Sequence, residues 1–375
     1  MKRIPKYMLV AATLLWMWFA TSCGGGAGKA PVTAGDTITT HARLLTVVRG
    51  DGYTYAEVRS PWSDSVPLGR YTIVDSGSDA DALPGTTLIR RPLRRSVVFA
   101  SVHTAPIAEL GSLDGIAAVA DGQYFTPGDT IAGLLASGRI ADVGSSMSPS
   151  LEKVIDLEPD AVLLSPYENG NAGGLDRAGA PIIYMADYLE ADALSRAEWL
   201  LLLGELYGRT AEADSMYAAT VAAYESLKAR VADVERRPTV FTEKPYSGVW
   251  YVPGGRSYAA GMLADAGARY VWADDESSGS LPLDEAAVID RAADADYWLI
   301  KAAVDTKPGT LAAELPHARA FRAFPGGVYY CNTVKRPFFN AVAFHPERVL
   351  ADYVRIFHPE VMDGDTTLQF FTPLK

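Results

Sequence analysis

The chain has 375 residues but only two cysteines, Cys23 and Cys331, and five histidines. If Cys23 belongs to a leader, as argued below, no pair is left for a disulfide, and there is no C-x-x-C for redox or zinc chemistry. His41, His103, His317, His345 and His358 are scattered, two of them before Pro, with no His-rich loop. A bare zinc or manganese site needs three or four converging ligands, which this pattern does not offer. G-x-S-x-G, H-E-x-x-H and a Walker A loop are also missing, which removes the common signatures of hydrolases, zinc proteases and nucleotide-driven enzymes. Basic residues are the minority, 34 Lys and Arg against 45 Asp and Glu, and a net charge of −11 argues against nucleic acid as a partner. No apolar run reaches the roughly 20 residues of a membrane-spanning helix.

What is present suits a folded protein, with a hydrophobic share of 49% and a charged share of 21%. The length is too great for one ordinary core and fits two domains of roughly 100 to 200 residues each. The start, "MKRIPKYMLVAATLLWMWFATSCGGGAG", combines basic residues, an apolar stretch from Tyr7 to Ala20, small residues and Cys23. It reads as an export signal over 1–22. Its "ATSC" end resembles a bacterial lipobox, in which the Cys becomes the lipidated first residue, although Ala20 stands where Leu is commonest. The alternative is an ordinary cleaved signal with Cys23 incidental. Residues 23–39 read as a flexible tether.

From 40 to 92 the pattern is strand-like: "ARLLTVVR", "YTYAEVRS", "RYTIVD" and "TTLIRR", punctuated by Asp-Gly, Pro and Gly-Ser. This predicts a β-rich extension. Over 93–189 strands alternate with helices, the signature of βαβ units with a parallel sheet. Residues 190–235 then form a helical connector, interrupted near Gly204 and Gly208, whose second part places Ala213, Met216, Tyr217, Thr220, Val221, Tyr224, Leu227 and Val231 at helical spacings. A second alternating block fills 236–375. The fold class expected is α/β: two Rossmann-like lobes with parallel sheets joined by a long helix, preceded by the extension.

The segments "RSVVFASVHTAPIAELGSLDGIAAV", "DVGSSMSPSLEKVIDLEPDAVLLS", the connecting helix and "PERVLADYVRIFHPEV" resemble, in this order, the substrate-binding proteins of ABC importers that carry iron chelates, haem or cobalamin. The resemblance spans roughly residues 93 to 362. "RAEWLLLLGELYG", "VWYVPGGRSYAAGMLADAGARYVW" and "ADADYWLI" look like the branch of that family found in Bacteroidetes lipoproteins. It implies a periplasm-facing, membrane-anchored protein without catalytic activity or cofactor. Such a protein is a monomer that delivers its ligand to an importer permease dimer.

The resemblance also implies a cleft between the lobes, bordered by the C-terminal ends of the strands. The ligand-binding candidates at those ends are His103, Tyr124, Ser146 and Tyr167 in the first lobe, and Lys244, Trp250, Tyr251, Arg256, Lys301 and Lys335 in the second. An aromatic lining with basic edges suits a large flat or polycyclic ligand, since rings bury much area at little entropic cost and Lys or Arg can hold carboxylates. An iron siderophore, haem and a corrinoid all fit, and no position separates them. His103 could be an axial metal ligand or could simply hydrogen-bond at a helix start. "PGGRS" could be an anion-binding loop, or a turn with Ser257 as N-cap.

Two acidic residues complete the reading. Glu152 and Glu285 each head a short helix before an apolar strand, where an acid is favourable by roughly 0.3 to 1 kcal/mol through the helix dipole and needs no function. In the family resembled, one Glu on each lobe docks on Arg residues of the permease, and these positions match. Two other classes remain open: a lipoprotein that binds a partner protein through the extension, and a lipoprotein hydrolase.

Overall fold

The computed structural model describes residues 35–125, 129–168, 170 and 174–374. The expected signal segment, most of the tether and Cys23 lie outside the described residues. The extension is a five-stranded sheet of Asp36–Thr37, Leu45–Arg49, Thr54–Val58, Gly69–Asp75 and Thr87–Arg91 in chain order, antiparallel except for its last, parallel pair. It reaches back to Asp36, into the stretch read as tether. Its inner face, with Leu45, Val47, Ala56, Val58, Tyr71, Ile73 and Ile89, shares one core with the first lobe and the helix Trp199–Tyr207.

Three carboxylates bind this sheet to the connector. Glu198 is fully buried and accepts hydrogen bonds from the main-chain N–H groups of Thr40 (2.7 Å), His41 (2.8 Å) and Ala42 (2.6 Å). Glu190 accepts from those of Arg43 (3.0 Å) and Leu44 (2.9 Å) and from the Trp199 indole (3.1 Å). Glu205 accepts from Arg49 Nε (2.6 Å) and the Thr54 hydroxyl (2.8 Å) and pairs with Arg91. A buried carboxylate is tolerated only when its lone pairs are filled by donors, so these acids in an otherwise leucine-rich tract are explained by the extension. Burial still pushes the Glu190 carboxyl upward, against the hydrogen bonds that favour its charge. On the far side, Tyr71 Oη donates to the Ile182 carbonyl (3.1 Å) and accepts from the Tyr184 N–H (3.0 Å), covering the edge strand of the next sheet.

That next sheet is the first lobe. Its five parallel strands run in the order Ile182–Tyr184, Ala161–Leu164, Ser96–Val98, Ile116–Val119, Ala141–Asp142. The second lobe has Arg269–Tyr270, Thr239–Thr242, Tyr297–Ala302 and Val328–Asn332 parallel, with Thr372–Pro373 antiparallel at the edge. The α/β class with two parallel-sheet lobes is thus the architecture observed. One predicted strand behaves differently: Trp250–Pro253 stays outside the parallel sheet and pairs with Ser280–Leu283 as an antiparallel ribbon. In the first lobe the first strand is central, and in the second it lies one place in from the edge. Successive strands add on one side of it and the later ones on the other, so each sheet has a switch point beside its first strand.

The connector comprises Ala193–Ala197, Trp199–Tyr207 and the 21-residue helix Thr210–Arg230. Of the two glycines, Gly208 breaks the helical path, at φ 65° in the left-handed conformation that suits glycine, with the non-helical Arg209 after it. Gly204 lies inside its helix, where a Cβ would come within 2.4 Å of the Ala213 Cβ, so it permits close packing of two helices. Along Thr210–Arg230, Ala213 and Tyr217 enter the core of the first lobe, Tyr224 enters that of the second, and Val221 touches both.

Candidate functional site

The first lobe's switch point lies between the C-terminal ends of Ser96–Val98 and Ala161–Leu164. A cavity of about 320 Å³ opens there, walled by 99–102, 164–167, Asp121, Tyr124, Ser146, Met147 and Tyr188. The hairpin of Gly144–Ser145 and Ser148–Pro149 carries Ser146 and Met147 at its tip. Asp121, two residues past the second strand, sits at φ 54°, in the left-handed region where Asp is among the commoner residues other than glycine. Its Oδ1 accepts from the Ser146 N–H at 3.2 Å and so ties two wall loops together. The Tyr188 hydroxyl donates to the Pro166 carbonyl, fixing one ring, whereas Tyr124 and Tyr167 are 72% and 46% exposed. The structure therefore brings Tyr124, Ser146 and Tyr167 into one cavity. Asp121, Tyr188 and Phe99 join them unanticipated, although an Asp-Gly dipeptide closing an apolar strand marked the first.

His103 is not in that wall. It is fully buried behind it, with Nε2 2.8 Å from Asp187 Oδ1, while the other Asp187 oxygen accepts from Arg196 Nε at 3.1 Å. Burial opposes ionisation of Asp187, but the His103 and Arg196 partners outweigh it and hold the carboxyl below the usual range. This triad occupies the imidazole Nε2 and removes it from a ligand, and the Arg196 guanidinium sits 5.0 Å over the Tyr258 ring of the second lobe.

The second lobe's switch point lies between the ends of Thr239–Thr242 and Tyr297–Ala302. Lys301 pairs there with Glu243, and Lys244 with Glu314 at 2.5 Å. Lys335 pairs with Asp305, and Arg256 with Glu276 at 2.9 Å on the surface. Trp250 is core: fully buried, 5.8 to 6.2 Å from the rings of Phe241, Trp298 and Phe321, its N–H donating to the Thr242 carbonyl. Strand alternation turns its neighbour Tyr251 outward, 48% exposed. Ser257 is an N-cap, accepting from the Ala260 N–H at 3.2 Å, so "PGGRS" is the turn rather than an anion loop.

One helix, Phe338–Phe344, touches a residue at or after a strand end in each lobe. Lys301 Nζ lies 5.5 Å from the Phe338 ring at its start, and the Phe344 ring lies 6.1 Å from His103 at its end. Seven residues of helix span about 10 Å, so the two strand-end regions are close neighbours. His345, next in the chain, reaches Glu109 of the first lobe at 2.5 Å and Glu347 at 3.3 Å. Burial disfavours its charge, but these carboxylates prevail and raise it to about 9. Exposed large hydrophobic side chains gather on the loops and neighbouring elements around this region: Tyr124, Met147, Tyr167 and Tyr188 on one lobe, Tyr246, Val304, Val334, Tyr251 of the ribbon and Phe339 of the helix on the other. Elsewhere among the described residues only Trp62, Val66 and Ile155 are comparable.

Glu152 is exposed on the first turn of Leu151–Asp156, capped by Ser150. Glu285 opens Glu285–Ala292, capped by Asp284, and its Oε1 lies 3.0 Å from His317 Nδ1. Each helix precedes the strand that crosses to the other side of the lobe's first strand, so the two acids hold equivalent places. Among the described residues no cluster of His, Cys, Asp or Glu could hold a metal ion, and no helix is long and apolar enough to cross a membrane.

Comparison with known proteins agrees with this geometry. The chain is 26% identical over 292 residues to an uncharacterized lipoprotein of Methanocaldococcus jannaschii, covering 75% of this chain and 69% of the relative. The TroA-like periplasmic binding protein FepB from Veillonella parvula superposes with a TM-score of 0.59 at 17% identity, over 76% of this chain and 96% of that one. An ABC-type Fe3+-hydroxamate transport protein from Saccharomonospora viridis gives 0.53 at 22% identity, over 71% and 94%. The pattern of the periplasmic binding protein family matches residues 108–316, more than half of the sequence. Two switch-point sheets facing each other across a connecting helix are what that match leads one to expect, and the chain belongs to the periplasmic binding protein family.

Proposed function

We propose that this protein captures a metal chelate, an iron siderophore or haem, or a corrinoid between its lobes and hands it to an ABC importer. The observation that carries the reading is the gathering of exposed aromatic and aliphatic side chains on the strand-end loops of both lobes. Isolated surface hydrophobics are ordinary, but a concentration at switch points is the character of a small-molecule site. A lipid on Cys23 would hold the protein to a membrane facing the periplasm, and Glu152 and Glu285, one per lobe, would seat a monomer across a two-subunit permease. The relatives named lipoprotein and Fe3+-hydroxamate transport protein support this reading.

The test is equilibrium titration with haem, cobalamin and ferric siderophores, read by quenching of tryptophan fluorescence. Trp298, whose N–H bonds the Glu243 carbonyl beside the Lys301 pair, would report by energy transfer. Binding of one probe at micromolar concentration, weakened about tenfold by Tyr124→Ala or Tyr167→Ala, is expected, a truncated ring being worth about 1 to 2 kcal/mol. Binding of free zinc or an amino acid with no chelate bound would refute the proposal.

A further inference from the structure

The charge of the cleft is sharper than its shape. Between Arg95 and Arg196 the sequence contains only Arg139, Lys153 and Arg177 as basic residues. Arg139 follows the helix Thr130–Ala136 and pairs with Asp114, and Arg177 sits on the turn Leu175–Ala178 with its guanidinium beside Gly174. Lys153 donates to the Asp142 carbonyl at 2.9 Å. No loop that follows a first-lobe strand carries a Lys or Arg. Those loops offer instead Asp121 in the cavity wall and the exposed Glu168 beside Tyr167.

The second lobe supplies free positive charge at one corner only. Lys244, Lys301 and Lys335 each face a carboxylate of their own lobe. Arg336 Nη1 donates to the Leu368 and Gln369 carbonyls, which leaves its guanidinium charged. Lys307 shares Asp305 with Lys335, so this corner, with Arg336 next in the chain, holds the surplus of positive charge. A ligand bearing several carboxylates would meet acidic groups on one side and already-paired amines on the other. Displacing Glu243, whose side chain is only 19% exposed, would leave that acid unpaired, at a cost of desolvation without return.

We infer that the ligand is a neutral or positively charged chelate, gripped by rings and by neutral donor and acceptor groups, and that chelates with free carboxylates or multiple negative charges are discriminated against. This rests on the chelate-binding reading and narrows it. Asp121 is the specificity residue of the first lobe, since its carboxylate stands in the cavity wall on a backbone conformation that Asn can also adopt.

The experiment is calorimetric titration of the full chain with four probes: ferrichrome and cyanocobalamin, both neutral, and haemin and ferric dicitrate, both with free carboxylates. We expect a neutral probe to bind and the anionic probes to bind about tenfold or more weaker, the scale of one unit-charge repulsion near a protein surface. In Asp121→Asn/Glu168→Gln the gap should narrow by about that factor, and raised salt should narrow it in the parent protein. An anionic probe that binds as tightly as any neutral one overturns the inference and leaves chelate binding standing. Failure of all four probes to bind overturns both.

Discussion

Glu198→Gln isolates the bond between the extension and the connector, because it keeps the size of the side chain and removes only its charge and one acceptor. In the parent protein one oxygen accepts from Thr40 and the other from His41 and Ala42, with no exposure to solvent. Hydrogen bonds to a charged group contribute about 1.5 to 3 kcal/mol and neutral ones about 0.5 to 1.5, so two retained bonds would lose about 2 kcal/mol together. The third N–H would face an amide NH₂ and lose its acceptor, about 1 to 3 kcal/mol more. The neutral amide is easier to bury than the carboxylate, which offsets part of this and leaves a net loss of about 2 to 4 kcal/mol. A protein of several units need not unfold in one step, so a global unfolding curve is the wrong readout. Amide hydrogen exchange over residues 38–48 is the right one. Detachment easier by about 3 kcal/mol speeds exchange there by about two decades, since 1.4 kcal/mol is a factor of ten. Glu212→Gln, which removes only an exposed 3.4 Å ion pair to Arg209, should change exchange little and serves as the control. Protection of residues 40–42 within threefold of the parent in Glu198→Gln would refute the reasoning.

Four further outcomes are expected. Glu152→Lys and Glu285→Lys should each leave ligand affinity unchanged and reduce uptake, with the double variant near inactive; wild-type transport by the double variant would reduce both residues to helix starts. His345 has its folded value raised from 6.5 to about 9, so its contribution to stability is fully present below about pH 6.5 and is lost as pH rises through about 9. The melting-temperature gap between the parent and His345→Gln should shrink across that window, and a constant gap would show that the contact to Glu109 is not an ion pair. Cys331 is buried and its thiol is pushed up to about 11, so at pH 8 it should resist a disulfide reagent until the chain is unfolded, whereas Cys23→Ala should release the protein from membranes and abolish palmitate labelling.

The two lobes were legible because βαβ units write their period into the chain: apolar strands such as "DAVLLS" alternate with short capped helices, and the long amphipathic tract stands out between the blocks. The wall residues Tyr124, Ser146 and Tyr167 were legible for the same reason, since strand ends locate loops and loops at a switch point locate a cavity. Trp250 and Tyr251 show where that reasoning stops. Alternation says that they face opposite ways, but only the position of Phe241 and Phe321, brought from other segments, decides which one is inside. The basic edge failed for a related reason. Lys244 and Lys301 were found at the strand ends, yet the acids that neutralise them come from a distant helix and a neighbouring strand. Nothing local to Glu190, Glu198 and Glu205 says that residues 40–54 will supply their donors.

The helix Thr210–Arg230 also acts as a gauge. Its two ends belong to different cores, with Tyr217 in one and Tyr224 in the other, so its length sets both the distance and the angle between lobes. One residue inserted between these tyrosines would turn everything beyond it by about 100° and advance it by about 1.5 Å, swinging Tyr224 out of its core. Seven inserted residues, nearly two full turns, would restore the facing while moving the second lobe away by about 10 Å. Cleft width in this architecture is therefore open to change only in coarse steps, and a lineage that needs a slightly larger ligand must adjust the loops rather than the span.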